Sequence, residues 1–192
     1  LIIKDKKKAK EEMNFNTRKK LIFIVGGSQG ARPINMHVFN NINFYIKNDF
    51  QIIWQSGSND YELLHTNIKN ENIIIESFIN NISVPYSAAD IVISRAGALA
   101  ISELTFMKKA MILIPFPQAA DNHQFINAKT IESHGACKLI KQQDLFAGKL
   151  ELYIQEIFNN ENILQSLEKN SKLISKPNAS KTISKEITKY IS

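Results

Sequence analysis

Short apolar runs alternate with longer amphipathic segments along most of this chain. The apolar runs are rich in β-branched residues and end at turn-forming residues, which is typical of buried strands. They cover residues 21–25, 51–55, 72–76, 91–94, 111–114 and 137–140. Because strand and helix patterns alternate about six times, the sequence predicts an α/β fold with a Rossmann-like parallel sheet and helices on both faces.

Helical periodicity fills the intervals between these runs and the end of the chain. The predicted helices cover residues 4–13, 33–46, 60–66, 84–89, 98–107, 122–133, 142–159, 161–175 and 179–191. Pro33 suits a first helical turn and Gly135 a helix C-terminus. The loops that follow the strands meet at one edge of a parallel sheet, where such folds bind ligands.

The segment 91–107 joins a strand to a helix through a turn at Gly97. The first amides of this helix lack intrahelical partners, and with the positive end of the helix dipole they form a site for phosphate. They belong to Ala98, Leu99 and Ala100. Glu103 shares their face, and its carboxylate can accept both hydroxyls of a ribose. The segment therefore suggests a nucleotide site, with an ordinary turn and a solvated Glu as the alternative.

A second candidate phosphate loop follows the first strand, in the sequence Gly-Gly-Ser-Gln-Gly over residues 26–30. It contains Gly27, Ser28 and Gly30, but it matches neither the dinucleotide fingerprint nor the lysine-containing NTPase loop. A phosphate-binding turn and a merely close-packed turn both remain open.

Further candidates lie at the same predicted edge. Arg95 would either neutralise a phosphate or pair with a surface acid, and His123 and Gln124 would contact a substrate, the Gln amide suiting sugar hydroxyls. The histidines show no metal-ligand spacing, and neither a Ser/His/Asp arrangement nor a carboxylate pair is evident. The sequence predicts the binding of a nucleotide-sugar without a metal or cofactor, and leaves the catalytic residues unknown.

Charge and composition narrow the class of protein. The net charge is +6, of which residues 1–20 contribute +5 and residues 161–192 contribute +3, leaving −2 for the middle. A nucleic-acid-binding fold carries its basic patch on the fold itself, so nucleic acid is not expected. The basic flanks are either solvated helix faces or surfaces attracted to an anionic membrane. The single cysteine, Cys137, excludes an internal disulfide framework, and we expect a cytoplasmic protein.

Several ordered motifs stand out along the chain: Gly26 to Ala31, Ala89 to Glu103, and Pro115 to Pro117 with 121–124 and 127–128. Together they closely resemble the MurG family of peptidoglycan N-acetylglucosaminyltransferases. The resemblance runs from about residue 20 to 145, and it implies the C-terminal, donor-binding half of a two-domain GT-B fold. On this basis residues 1–20 are a lead-in, 21–175 the donor domain, and 176–192 a helix packing toward an N-terminal domain outside this chain.

The resemblance also implies a role for each matching residue. Ser28 would contact the phosphates of UDP-N-acetylglucosamine, the Ile79 backbone the uracil, Glu103 the ribose and Gln124 the N-acetylglucosamine. The remaining substrate-binding positions would be Ala98, Leu99 and Ala100 around the diphosphate, with Ile101 and Ser102 beside them. Additional candidates are Gly27, Gly30, Arg95, His123 and Asn127.

The sequence departs from the family at Ala100, where Thr is frequent, and at His123, where some members have Gln. The chain is expected to be a fragment, with the catalytic base and the lipid-linked acceptor site in an N-terminal domain outside it. The full enzyme would transfer N-acetylglucosamine to lipid-linked muramyl-pentapeptide at the cytoplasmic face of the membrane as a peripheral protein, whereas the fragment alone would be inactive. The alternatives are another GT-B enzyme, such as a nucleotide-sugar epimerase, and a non-catalytic nucleotide-binding module.

Overall fold

A parallel sheet of six strands forms the centre of the molecule. The computed structural model describes residues 1–191, without the side chains of residues 180, 181, 185, 190 and 191. The strands are β1 Leu21–Val25, β2 Gln51–Gln55, β3 Ile73–Glu76, β4 Ile91–Ser94, β5 Ala110–Leu113 and β6 Cys137–Leu139. The predicted α/β class and parallel sheet are confirmed.

Helices connect the strands and cover both faces of the sheet. They are α1 Lys6–Glu12, α2 Arg32–Asn40, α3 Ile42–Lys47, α4 Ser58–Asn67, α5 Ser83–Ala88, α6 Ala98–Phe106, α7 His123–Ser133, α8 Lys149–Asn159, α9 Glu161–Ile174 and α10 Ala179–Ile191. Two short 3-10 helices, Ala120–Asn122 and Gln142–Ala147, precede α7 and α8. Of the predicted C-terminal segment 176–192, residue 192 lies outside the described residues.

The strand order β3-β2-β1-β4-β5-β6 places β1 beside β4 in the middle of the sheet. The chain moves outward from β1 to β3, returns to the centre at β4, and then moves outward to β6 on the other side. The loops after β1 and β4 therefore leave in opposite directions and open a crevice between them. The two loops are the glycine-rich turn and the turn at Gly97, which the sequence singled out as candidate phosphate sites.

The sheet is buried on both faces because alternate residues of each strand enter two separate cores. In β1, Ile22 and Ile24 pack into one core with Trp54 of β2. Leu21 and Phe23 pack into the other core. All five residues of β1 and all five of β2 are buried, which explains why these strands read as nearly continuous apolar runs.

The first residues of the chain pack against the body of the fold. The backbone N–H of Ile2 donates to Ser83 Oγ and that of Lys4 to Ser87 Oγ, at 3.2 and 3.0 Å. Lys10, only 3% exposed, donates to Asp90 Oδ2 at 3.0 Å. The segment predicted as a lead-in is thus held along α5 and the amino end of β4.

Two predicted helices are each divided in the structure. The helix expected over 33–46 breaks at Asn41, whose side-chain amide donates to the carbonyl of His37 at 2.8 Å. Asn side chains bond readily to nearby backbone and so favour helix ends. The helix expected over 142–159 is a 3-10 helix followed by α8, because Gly148 adopts a left-handed conformation with φ 70°. Within residues 1–191, none of the helices has the length and apolar character needed to cross a bilayer.

Candidate functional site

A cleft of about 770 Å³ opens at the carboxyl ends of the strands, above the junction of β1 and β4. Its walls come from the glycine-rich loop, the end of β2, the segment after β3, the turn between β4 and α6, and the loop after β5. The lining residues are Val25 to Pro33, Gln55, Phe78, Ile79, Asn80, Ile82, Tyr86, Ser94, Arg95, Gly97, Leu99, Ala100, Glu103, Phe116 and Gln124.

The glycines of the β1–α2 loop have two different roles. A Cβ at Gly30, where φ is 79°, would collide with the carbonyl oxygen of Ser56, so this glycine permits close packing between two loops. Gly27 has φ 90°, but a Cβ there would meet nothing within 4 Å. Close packing, one of the two interpretations of the loop, therefore applies to Gly30. Gly27 instead leaves open space at the cleft surface, and phosphate binding by the loop stays a prediction.

The N-terminus of α6 faces the cleft without a side-chain cap. Gly97 is the N-cap, with φ −67° and ψ 147°, and as a glycine it provides no side-chain acceptor for the first amides of the helix. The first helical bond runs from the Ile101 N–H to the Gly97 carbonyl at 3.0 Å, so the three preceding amides have no helical acceptor. A Cβ at Gly97 would meet nothing within 4 Å, which leaves room for a ligand at these amides.

Glu103 projects from the second turn of α6 into the same cleft. Its Oε2 accepts a hydrogen bond of 3.1 Å from the hydroxyl of Tyr86. Tyr86 is 1% exposed, and its ring packs edge-on against Phe23 of β1 with centroids 5.3 Å apart. Burial raises the pKa of Tyr86, and the negative charge of Glu103 raises it further, so the phenol remains a donor at neutral pH.

Gln55, the last residue of β2, joins two walls of the cleft. Its Nε2 donates to the Gly27 carbonyl at 3.1 Å, and its Oε1 accepts from the Ile79 N–H at 3.0 Å. The Gln55 side chain is 3% exposed, and both of its hydrogen bonds are partly buried. The position of the Ile79 backbone relative to the glycine loop is therefore set by one buried amide.

Within the described residues Arg95 forms no ion pair with an acid, which was one of its two suggested roles; its role toward a phosphate stays a prediction. Its guanidinium donates to the carbonyls of Ile114 and Pro115 at 3.0 and 3.1 Å and to Gln142 Oε1 at 2.7 Å, and it lies over the Phe116 ring. Burial lowers the pKa of Arg95 to about 10, so the group stays charged at neutral pH. It is a cation at the cleft wall whose described hydrogen-bond acceptors are all neutral.

The candidate residues in the first two turns of α7 differ in their relation to the cleft. Gln124 lines it, and its Oε1 accepts from the Phe116 N–H at 3.0 Å, which fixes the side-chain amide. His123 lies outside the lining with its Nδ1 2.7 Å from the Ala120 carbonyl. Asn127 is also outside, and it donates to the Ala96 carbonyl at 3.2 Å, so it supports the turn before α6.

Nine of the fourteen residues singled out from the sequence share the cleft. They are Gly27, Ser28, Gly30, Ile79, Arg95, Leu99, Ala100, Glu103 and Gln124. The other five do not line it: Ala98, Ile101, Ser102, His123 and Asn127. Ala98 is exposed at the helix end, Ile101 packs against a core, and Ser102 is exposed.

Sequence reasoning assigned no role to several other lining residues, among them Arg32, Gln55, Phe78 and Tyr86. Gln55 carried one available signal, since it is a polar residue at the end of an otherwise apolar strand. Phe78 is 54% exposed, and Arg32 pairs with the buried carboxylate of Asp60. Neither property can be read from local sequence, because exposure and pairing depend on how distant loops meet.

Comparison with known proteins identifies the family of the chain. Residues 21–185 match the family model described as the glycosyltransferase family 28 C-terminal domain. The chain belongs to this family. The matched region contains all six strands and the entire lining of the cleft.

Individual relatives of this family 28 domain are bacterial transferases. One, from Thermodesulfovibrio yellowstonii, is named UDP-N-acetylglucosamine–N-acetylmuramyl-(pentapeptide) pyrophosphoryl-undecaprenol N-acetylglucosamine transferase, and it is 39% identical over 183 residues. That match covers 93% of this chain and 50% of the relative. A protein of the same name from Finegoldia magna is 34% identical over 193 residues, covering 99% and 52%. The chain spans about half the length of the curated relatives it matches.

The family 28 domain also resembles a solved structure throughout its length. The crystal structure of Acinetobacter baumannii MurG superimposes with a TM-score of 0.77 and 28% identity, covering 94% of this chain and 53% of that one. The predicted resemblance to the MurG family is confirmed, as is the fold of a GT-B glycosyltransferase half.

Proposed function

We propose that this chain is the donor-binding half of an enzyme that transfers N-acetylglucosamine from UDP-N-acetylglucosamine to a lipid-linked muramyl-pentapeptide. The observation that carries the proposal is one cleft that combines an uncapped helix N-terminus with a carboxylate one turn along the same helix. Such a pair suits the diphosphate and the ribose of a nucleotide. The names of the relatives support the choice of donor and acceptor.

The diphosphate would bind at the N-terminus of α6. Its charge would be stabilised by the amides of the first turn, the positive end of the helix dipole, and the guanidinium of Arg95 at the cleft wall. Ser28 and the open space at Gly27 lie on the opposite wall. As the sugar leaves UDP, negative charge grows on the diphosphate, so these groups would stabilise the transition state more than the bound donor.

The two ends of the donor would be read by other groups. The Ile79 N–H is already bonded to Gln55, so its carbonyl is the backbone group available to accept from a uracil N3–H. The exposed ring of Phe78 beside it can pack against the base. On the sugar side, the Gln124 oxygen is bonded to the Phe116 N–H, which leaves the amino group of the amide for a sugar oxygen.

The acceptor would bind through the half of the enzyme that this chain does not cover, and that half would supply the catalytic base. The reaction would be a displacement at the anomeric carbon in which the acceptor hydroxyl forms the new bond and UDP departs. Because the acceptor is attached to a lipid, the enzyme would act as a peripheral protein at the cytoplasmic face of the membrane. The 192-residue chain alone would bind the donor weakly and transfer nothing.

Calorimetric titration tests this proposal. UDP-N-acetylglucosamine is expected to bind saturably and more tightly than UDP-N-acetylgalactosamine, and Glu103→Ala is expected to weaken binding at least tenfold through the lost bonds to the ribose. Glu62→Ala, at an exposed carboxylate on α4 outside the cleft, is the matched control and should bind normally.

Four results would contradict the proposal. Absence of saturable binding by either sugar nucleotide would remove the donor site, and equal losses in the two Glu variants would remove the role of Glu103. Sugar transfer by the purified chain would refute its inactivity. A preference for the galactosamine donor would favour a different GT-B enzyme.

A further inference from the structure

We propose that Tyr86 is a positioning residue that holds the Glu103 carboxylate in the orientation needed to accept hydrogen bonds from the ribose hydroxyls. The inference rests on the proposed function, because it gives Glu103 a nucleotide to bind. It concerns a residue that neither the local sequence pattern nor the family resemblance assigned to the site.

The position of Tyr86 is fixed independently of any ligand. Its side chain is 1% exposed in the core between α5 and β1, and its ring contacts Phe23 edge-on at 5.3 Å. A buried aromatic ring has little rotational freedom, because the close-packed core admits few rotamers. The hydroxyl is therefore presented at a defined point of the cleft wall, where Tyr86 is among the lining residues.

Glu103 depends on the Tyr86 hydroxyl for its own orientation. A Glu side chain on a helix has three rotatable bonds and loses considerable entropy when it is ordered. The Tyr86 O–H donates to Oε2 at 3.1 Å, which anchors one carboxylate oxygen. The plane of the carboxylate is then fixed and its other oxygen faces the ligand. Two neighbouring ribose hydroxyls can therefore bind without first ordering the Glu103 side chain.

The hydrogen bond between Tyr86 and Glu103 has only one possible direction. The carboxylate is an acceptor and the buried phenol a donor, and hydrogen bonds to a charged group are stronger than neutral ones. Without the phenol, the carboxylate would have to be ordered by the ligand itself. The cost would fall on ligands that use both ribose hydroxyls and much less on ligands that lack one of them.

Binding of UDP and 2′-deoxy-UDP to the 192-residue chain and its Tyr86→Phe variant measures this difference. Phe keeps the buried ring and removes only the hydroxyl. In the wild type, UDP is expected to bind roughly tenfold more tightly than 2′-deoxy-UDP, the effect of one hydrogen bond to a charged group. In Tyr86→Phe this ratio is expected to fall to about two, mainly through weaker UDP binding.

Tyr45→Phe is the matched control. Tyr45 is also a fully buried tyrosine, but it lies on α3 outside the cleft. Its substitution should leave both affinities and their ratio unchanged. Near-identical unfolding midpoints in urea for Tyr86→Phe and Tyr45→Phe would show that a change in the ratio does not come from a general loss of structure.

The outcomes separate the inference from the function on which it rests. If UDP binds and discriminates against the 2′-deoxy ligand, but Tyr86→Phe weakens both ligands equally, Tyr86 is merely structural and the inference is wrong. If the ratio falls as expected, the positioning role is established. If the wild-type chain binds neither nucleotide, the proposed function fails first, and the inference fails with it.

Discussion

The two edges of the sheet treat polar groups in opposite ways. At the amino edge, the buried carboxylate of Asp90 accepts from Lys6, from Lys10 and from the Leu21 N–H, at 2.9, 3.0 and 2.8 Å. Burial alone would raise the pKa of Asp90, but the two lysines and the amide outweigh burial and lower it. The donors and acceptors at this edge are used within the protein itself.

At the carboxyl edge, similar groups are turned toward a cleft. The N-terminus of α6 has no side-chain cap, and Gly27 and Gly97 leave open space above the backbone. Arg95 is bonded to carbonyls and an amide rather than to a carboxylate. The contrast teaches that mutual satisfaction of buried polar groups stabilises this fold, whereas groups left unsatisfied at a crevice indicate where a ligand binds.

The largest expected effect is at the amino edge. Asp90→Ala removes the charged acceptor of a 3% exposed lysine, Lys10, and should lower the free energy of unfolding by about 4 kcal/mol. Because the pKa of Asp90 is lowered in the folded state, its contribution is complete above the ordinary Asp value and is lost as the pH falls through the lowered pKa. Urea unfolding at pH 7 and at stepwise lower pH measures both effects.

Glu156→Ala provides the control for this prediction. Glu156 pairs with Lys138 at 2.7 Å on the surface, where an ion pair contributes less than about 1 kcal/mol. If both substitutions lower the free energy of unfolding equally, the amino edge is not a stabilising cluster and the contrast between the two edges is wrong.

Alanine substitution at two different glycines should separate an effect on stability from an effect on donor binding. Gly30→Ala should lower the free energy of unfolding by about 3 kcal/mol, because the new methyl collides with the Ser56 carbonyl at a positive φ. Gly97→Ala should change stability by less than about 1 kcal/mol, since its φ is ordinary and no atom is near. It should instead weaken UDP-N-acetylglucosamine binding roughly tenfold by occupying the approach to the α6 amides.

Urea unfolding and calorimetry of the two variants test that division. A large loss of stability in Gly97→Ala, or unchanged donor affinity, would show that the open space at the helix end has no relation to a ligand.

A pH-dependent effect is expected for Lys109 at the amino edge, whose ammonium donates to the carbonyls of Ser87 and Ala89. Burial lowers the pKa of Lys109 to about 8, so between pH 8 and 10.5 the unfolded chain binds more protons at this residue. Its contribution to stability should therefore rise with pH in that window. Urea unfolding of wild type and Lys109→Met at pH 7, 8.5 and 10 isolates the contribution, and a flat difference between the two would contradict it.

Much of the fold was predictable because it depends on local pattern. The strands around Phe23 and Val92 are apolar runs, and a strand buried on both faces requires this. The helix breaks at Asn41 and Gly148 were missed, because the amphipathic pattern continues across both positions. A side-chain bond and a left-handed backbone conformation decided them locally.

The sequence by itself determined that a helix begins after Gly97 and that Glu103 lies on its face, since helical periodicity relates both to a single local segment. Only the tertiary structure decided how these groups are equipped. Tyr86 reaches Glu103, Gln55 joins Gly27 to Ile79, and Arg95 turns to the end of β5. These partners meet because the strand order places β2 between β1 and β3 and places β4 between β1 and β5. Strand order arises from packing the whole chain, which no local pattern encodes.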